Sequence, residues 1–157
     1  MRLVLFGSLG KDISFAMFYG KAKHSVDAKG RIILPSKFRD GLGESFLVMR
    51  GFEKCLFVYS KEGYKELEEK LRALPISSGG RLQRYIFGST ECVTTDKQGR
   101  FVIPPDLRKF AELDKDVIIT GVSSRLEIWD ADTFESYESE TVNDTDKLKE
   151  LLEIFEI

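Results

Sequence analysis

The chain has 157 residues, of which 42% are hydrophobic, and it carries a net charge of −2 at pH 7. This length is enough for one domain, or for two small domains that share a core. Charged residues interrupt every apolar run before it reaches the ~18 residues that a membrane-spanning helix requires. A single histidine and two widely separated cysteines form no metal-ligand or nucleophile motif. We therefore expect no membrane span, no cofactor or metal, no small-molecule substrate and no enzymatic activity.

The nearly neutral total charge conceals an uneven distribution along the chain. Residues 17–90 carry a net charge of +6, whereas residues 131–157 carry −7. Such an asymmetry can place a cationic face on a protein whose overall charge is negative. The pattern favours a nucleic-acid-binding surface in the first part of the chain, although a solvated charged surface would have the same composition.

The first 16 residues precede the organised part of the chain. Their apolar run, residues 3–6, is too short for the hydrophobic region of a signal peptide. We therefore expect a cytoplasmic protein in which Cys55 and Cys92 are unpaired core residues in a reducing compartment. We expect residues 1–16 to be an upstream extension of the protein, with an additional strand as the alternative.

An internal repeat organises the rest of the chain. Residues 27–35 recur as residues 96–104, with Asp, Gly, Arg and Pro at matching positions. The remaining matches pair apolar segments, 47–51 with 117–121 and 56–59 with 126–129. Matching turn residues and apolar spacing predict a duplication and a pseudo-twofold pair of modules. The expected organisation is a leader at 1–16, a first repeat at 17–90 and a second repeat at 91–157.

Each copy begins with a predicted β-hairpin. The Asp at the start of the turn can accept hydrogen bonds from turn amides, and the Gly at its fourth position tolerates a left-handed backbone. In the first copy the hairpin joins residues 21–26 to residues 31–34, and the following Pro ends the second strand. A short helical turn, over 36–40 or 105–110, then leads to a second, apolar hairpin.

Longer helices are predicted around and after these hairpins. Ser60 and Asp130 are suitable N-caps, and apolar residues at helical spacing extend a helix from Ser60 to about Leu74. Another short helix over 80–87 links the copies. Near the end of the chain, the apolar residues that follow an amphipathic helical pattern are Leu148, Leu151, Leu152 and Phe155. We expect this apolar side to pack on its own domain, with a partner's surface as the alternative.

The two motif loops are the predicted functional site. The residues expected to shape them are Asp27, Gly30, Asp96 and Gly99. Arg31 and Arg100 occupy equivalent hairpin tips, where a guanidinium could donate to guanine O6 and N7 or to a phosphate. The alternative is that each arginine only pairs with the Asp of its turn. The lysines that would add attraction for phosphates are Lys29, Lys97 and Lys23.

The same residues resemble a known family. The two motif runs, with Arg39 after the first and Leu107-Arg108 after the second, are similar to MraZ proteins. The segments 81–84 and 88–92 extend the resemblance, which covers about 17–137. It implies an α+β fold of the AbrB/MazE/SpoVT class, in which a pseudo-twofold duplicated hairpin module forms a β-barrel with peripheral helices.

The resemblance also implies a function. It implies a nucleoid-associated transcriptional regulator of the bacterial division and cell-wall gene cluster, which assembles into ring-like homo-oligomers. Double-stranded promoter DNA would be its partner, contacted through Arg31 and Arg100. Because Gln98 stands where the first copy has Lys29, and because the first loop lies in the basic segment, Arg31 is predicted to contribute more. The alternative is an antitoxin-like or scaffolding module of the same fold class that binds protein.

Overall fold

A computed structural model describes residues 17–157, and the predicted leader lies outside the described residues. None of the helices in the described part is long and apolar enough to cross a membrane. In chain order, the elements are β1 (Lys21–Ser25), β2 (Arg31–Ile33), α1 (Ser36–Leu42), β3 (Ser45–Arg50), β4 (Leu56–Ser60), α2 (Lys61–Arg72), α3 (Ile76–Phe87), β5 (Glu91–Thr94), β6 (Arg100–Val102), α4 (Pro105–Phe110), β7 (Asp116–Val122), β8 (Arg125–Asp130), α5 (Ala131–Asn143) and α6 (Thr145–Ile154).

The strands form a six-stranded sheet, in the order β1-β7-β8-β4-β3-β5, and a two-stranded ribbon, β2-β6. At the centre of the sheet, β4 of the first copy pairs with β8 of the second, and Phe57 faces Glu127. At the centre of the ribbon, Ile32 faces Phe101. Each edge strand also pairs with the other copy, β1 with β7 and β5 with β3. The two copies are therefore interleaved about a pseudo-twofold axis through both central pairs.

This interleaving shows that the predicted hairpin between residues 21–26 and residues 31–34 is wrong. The turn forms, but the two strands that leave it enter different sheets, because β1 pairs with β7 and β2 pairs with β6. Two copies with matching turn residues and apolar spacing can exchange strands at little cost, and the local pattern does not distinguish the two arrangements. The second hairpin of each copy, β3-β4 or β7-β8, is confirmed.

The second hairpins also correct the alignment of the two copies by one residue. Phe46 pairs with Ser60, and Val117 pairs with Asp130. Because Ser60 and Asp130 both cap the helix that follows, Phe46 corresponds to Val117, which the sequence alignment matches to Leu47. Continuous apolar runs do not determine how these strands of the two copies align, since a shift of one residue still places an apolar residue at most positions.

The predicted helices form, and α1 and α3 are longer than expected. The Ser60 hydroxyl accepts a hydrogen bond from the amide of Gly63 at 3.0 Å, which caps α2. α3 begins at Ile76 rather than at residue 80. Gly79 lies in the added first turn, close to the residues that follow α2: a Cβ atom built on Gly79 would lie 2.5 Å from the Cβ of Leu74.

Apolar side chains pack on both faces of the sheet. On one face, the ribbon, α1 and α4 cover the sheet and form the ribbon-side core. On the other face, α2, α3 and α5 form the helix-side core. The mixed α+β class is confirmed. Among the described residues the sheet is open, with β1 and β5 as its edges, and the closed β-barrel implied by the resemblance is not seen.

The two cysteines differ in their surroundings. Both are free thiols, as predicted, and Cys55 is buried. Burial raises the pKa of the Cys55 thiol to about 12. Cys92 is exposed, so the prediction that it is a core residue is wrong. It lies on β5, an edge strand of the sheet, and the matching position of the other edge strand is the exposed Lys23.

The terminal helix α6 forms as predicted, but its apolar side does not pack on the rest of the chain. Leu151 and Leu152 are each 46% exposed, and Phe155 is 68% exposed. The prediction that this side packs on its own domain is wrong for the described residues. The reason is that α6 continues from α5 and has α5 as its principal neighbour, so that it lies away from both cores.

Candidate functional site

The first loop, residues 27–31, is a tight turn held by one carboxylate. Asp27 Oδ1 accepts hydrogen bonds from the amides of Lys29 and Arg31, both at 2.9 Å. Asp27 Oδ2 accepts a hydrogen bond from Nε of Arg31 at 2.7 Å. Gly30 has a φ of 77°, a left-handed conformation that costs glycine nothing. The carboxylate thus holds both the backbone of the turn and the direction of the arginine.

The second loop, residues 96–100, repeats this arrangement in detail. Asp96 Oδ1 accepts from the amides of Gln98 and Arg100 at 2.9 Å, and Asp96 Oδ2 accepts from Nε of Arg100 at 2.8 Å. Gly99 has a φ of 76°. The two loops therefore present the same donor group in the same local geometry.

Both loop carboxylates are held in the ionised form. The hydrogen bond from the amide of Arg31 is the main cause that lowers the pKa of Asp27 below its ordinary value of 3.8, and the Arg31 side chain lowers it further. The amide and side chain of Arg100 lower the pKa of Asp96 in the same way. The side chains of Arg31 and Arg100 remain 24% and 29% exposed. Because each pairs with Asp through Nε, its terminal amino groups can still donate to an external acceptor.

The ribbon joins the two loops into one unit. The carbonyl of Gly99 accepts a hydrogen bond from the amide of Leu34 at 2.8 Å, and the carbonyl of Gly30 accepts one from the amide of Ile103 at 3.0 Å. Each loop is thus anchored by the backbone of the opposite copy. In the register of the ribbon, the two arginines lie on neighbouring strands and two residues apart, which corresponds to about 7 Å along the strand direction.

The structure brings some of the predicted lysines to these loops and not others. Lys29 and Lys97 lie within the loops and are exposed. Lys23 lies on β1, where it pairs with Ile118 of the helix-side core and approaches Glu135 of α5 at 3.8 Å. Lys23 is therefore placed on the opposite face of the sheet from the loops.

Two arginines that are absent from the predicted site lie beside the loops. A Cβ atom built on Gly99 would lie 2.6 Å from Cζ of Arg39, and one built on Gly30 would lie 3.5 Å from Nη1 of Arg108. Nε of Arg39 donates to the carbonyl of Leu34 at 2.9 Å. Each arginine therefore approaches the loop of the other copy. Both stand eight residues after a motif arginine, and this matching position is the signal that could have identified them.

Each loop presents a lysine and an arginine whose terminal amino groups are not used by the Asp of its turn. Such a set can bind phosphates or the acceptor edges of bases. Among residues 17–157, no three His, Cys, Asp or Glu side chains lie together in a way that could hold a metal ion.

Comparison with known proteins identifies the family. The family model described as "MraZ protein, putative antitoxin-like" matches residues 17–80 and 86–154. The transcriptional regulator MraZ of Acetivibrio thermocellus is 53% identical over 123 residues, which cover 77% of this chain and 86% of that protein. The transcriptional regulator MraZ of Moorella thermoacetica is 43% identical over 144 residues, which cover 90% of this chain and 100% of that protein. The chain therefore belongs to the MraZ family.

Proposed function

We propose that this chain is a sequence-specific transcriptional regulator that binds double-stranded promoter DNA through its two motif loops. The observation that carries the proposal is the pair of equivalent guanidinium groups, each oriented by a carboxylate and joined to the other by the ribbon. The name of the relatives, transcriptional regulator, supports it. In this proposal the protein is cytoplasmic, associates with the nucleoid and regulates the bacterial division and cell-wall gene cluster.

The geometry favours binding of both loops within one groove. A separation of about 7 Å along the ribbon corresponds to roughly two base pairs, whereas separate half-sites lie about 34 Å apart. Arg31 and Arg100 would each present terminal amino groups to a guanine edge or a phosphate. Lys29 and Lys97 would attract the neighbouring phosphates, and both arginines are already held by Asp, so less side-chain entropy is lost on binding.

The test compares Arg31→Ala and Arg100→Ala with the wild-type chain. Each protein is titrated with duplex DNA from upstream of its own gene cluster and with a scrambled duplex, at two salt concentrations. Loss of a bidentate base contact should weaken specific binding by about 1–3 kcal/mol, whereas loss of a phosphate contact should weaken all sequences alike. The sequence ranks Arg31 above Arg100.

The matched control is Arg72→Ala. Arg72 is exposed at the end of α2, on the helix side of the sheet, so its removal changes the net charge equally without touching the loops. If Arg31→Ala and Arg100→Ala both fold normally and bind the upstream duplex as wild type and Arg72→Ala do, the loops are structural and the proposal is wrong.

We also propose that copies of the chain assemble into ring-like homo-oligomers. The support in the structure is the exposed apolar side of α6. Repeated copies of the loops could engage repeated DNA sites and raise affinity through effective concentration. Light scattering at micromolar concentration should show an oligomer that Leu151→Ser and Leu152→Ser reduce, and that Lys149→Ser on the same helix leaves intact. A monomeric wild-type chain would contradict this.

A second candidate function is an antitoxin-like or scaffolding module that binds protein. The description of the matching family model and the exposed apolar residues of α6 favour it. This function predicts that the chain has no salt-dependent affinity for promoter DNA, and the same titrations therefore separate the two candidates.

A further inference from the structure

The outer face of the ribbon carries apolar side chains that core packing does not explain. Side chains alternate along a strand, and Ile32 and Phe101 point inward, since they are 0% and 2% exposed. Ile33 and Val102 point outward and are 45% and 51% exposed. One exposed aliphatic residue is ordinary, but here both copies present one at the equivalent position, in each case two residues after the motif arginine.

Cross-strand pairing combines these residues with the two arginines. Val102 faces Arg31, and Ile33 faces Arg100. The outer face therefore carries four side chains at the corners of a square. The two arginines lie on one diagonal, and Ile33 and Val102 lie on the other. Neighbouring strands lie about 4.8 Å apart, so this face is much narrower than the major groove, which is about 12 Å wide and admits a two-stranded ribbon.

We infer that this outer face enters the major groove and that Ile33 and Val102 contact the C5-methyl groups of thymines. The inference rests on the proposed function and adds a specificity determinant to it. Thymine presents the only methyl group in the major groove, and apolar side chains contact it. Each half of the site would then hold a thymine within about two base pairs of the position addressed by an arginine, in inverted order about the pseudo-twofold axis.

The test removes the methyl groups from the DNA. The full chain is titrated with the duplex from upstream of its own gene cluster and with the same duplex in which every thymine is replaced by deoxyuridine. This change deletes the methyl and preserves base pairing. Wild type should bind the deoxyuridine duplex more weakly, by about fourfold for each methyl group that loses its apolar contact.

Protein variants locate the effect. Ile33→Ala and Val102→Ala should each lose part of the discrimination between the two duplexes, and the double variant should lose nearly all of it. Both positions are exposed, and circular dichroism would verify the fold. The matched controls are Ile76→Ala and Val122→Ala, which truncate exposed aliphatic residues away from the ribbon and should keep the discrimination of wild type.

Three outcomes would overturn the inference while leaving the proposed function intact. Wild type could bind both duplexes equally although Arg31→Ala weakens binding. The double variant could keep the full discrimination. The variants could change the oligomeric mass by light scattering without changing the discrimination, in which case the face is a contact between copies. Failure of wild type to bind either duplex would instead refute the proposed function, and the inference with it.

Discussion

Phe101→Ala tests how the ribbon, and with it both loops, is attached to the sheet. The ring of Phe101 is almost fully buried and packs edge-on against Phe46, with ring centroids 5.2 Å apart. Removing it leaves a cavity in the ribbon-side core at the pseudo-twofold axis. A buried Phe→Ala change costs about 3–5 kcal/mol, whereas a whole domain is stable by about 5–15 kcal/mol. We therefore expect a variant that still folds at 25 °C but has lost a large part of its stability.

Urea unfolding followed by two probes measures the effect. Trp129 is the only tryptophan of the chain and lies in the helix-side core, so its fluorescence reports the far face of the sheet, and far-ultraviolet circular dichroism reports the whole fold. If the two faces unfold together, both midpoints fall equally with an unchanged slope. The control is Val102→Ala on the exposed face, which should change stability by no more than about 0.5 kcal/mol. A cost below about 1 kcal/mol for Phe101→Ala, or a fluorescence transition that does not move, would refute this account of the ribbon.

Three further predictions follow from single contacts. A thiol reagent should modify Cys92 rapidly in the native protein and Cys55 only on unfolding, because burial raises the pKa of the Cys55 thiol to about 12; rapid modification of both would contradict the structure. The fold lowers the pKa values of Asp27 and Asp96, so the stability that their carboxylates give the loops is present above pH 3.8, their ordinary pKa, and is lost as the pH falls through the lowered pKa values. When the chemical shifts of the loop amides are titrated by NMR, their midpoints should lie below pH 3.8. Midpoints at or above this value would show that the fold does not stabilise the ionised carboxylates. Arg39→Ala should weaken binding to all DNA sequences alike and flatten the dependence of log K on log salt by about 0.9, and an unchanged slope would show that Arg39 contacts no phosphate.

The features that the sequence predicted correctly depend on near neighbours in the chain. The cap at Ser60 needs a hydroxyl and an amide three residues away. The second hairpins β3-β4 and β7-β8 join adjacent strands. Such contacts are determined within a few residues, and the residue types therefore suffice to predict them.

The features that the sequence did not predict depend on which copy supplies a strand. β1 and β5 occupy equivalent positions in the two copies, as do β2 and β6. Each strand therefore has two possible partners, and the local pattern does not choose between them. The choice decides which strands are edges. Cys92 and Lys23 are placed by this choice, and for that reason an apolar context was insufficient to predict the burial of Cys92.

Because the two copies are interleaved, a charged residue of one copy can lie beside the loop of the other copy. The sequence assigns Arg39 to the basic first copy, yet its guanidinium lies against Gly99 of the second loop. Arg108 belongs to the second copy and lies beside Gly30 of the first loop. Each loop is therefore supplied with a cation by the other copy, and a count over residues 17–90 does not describe the field around the first loop.

Arg39 and Arg108 differ in how many of their side-chain donors form hydrogen bonds within the protein. Arg108 donates through Nε and Nη2 to the carbonyls of Leu113 and Asp114, at 3.3 and 3.5 Å. Arg39 donates through Nε to a single carbonyl, so more of its donors are available to DNA at the second loop, where Gln98 stands at the position of Lys29. This compensation acts against the predicted ranking of the loops. The losses caused by Arg31→Ala and Arg100→Ala should then differ less than the segment charges alone predict, because the duplication exchanges cations between the two loops.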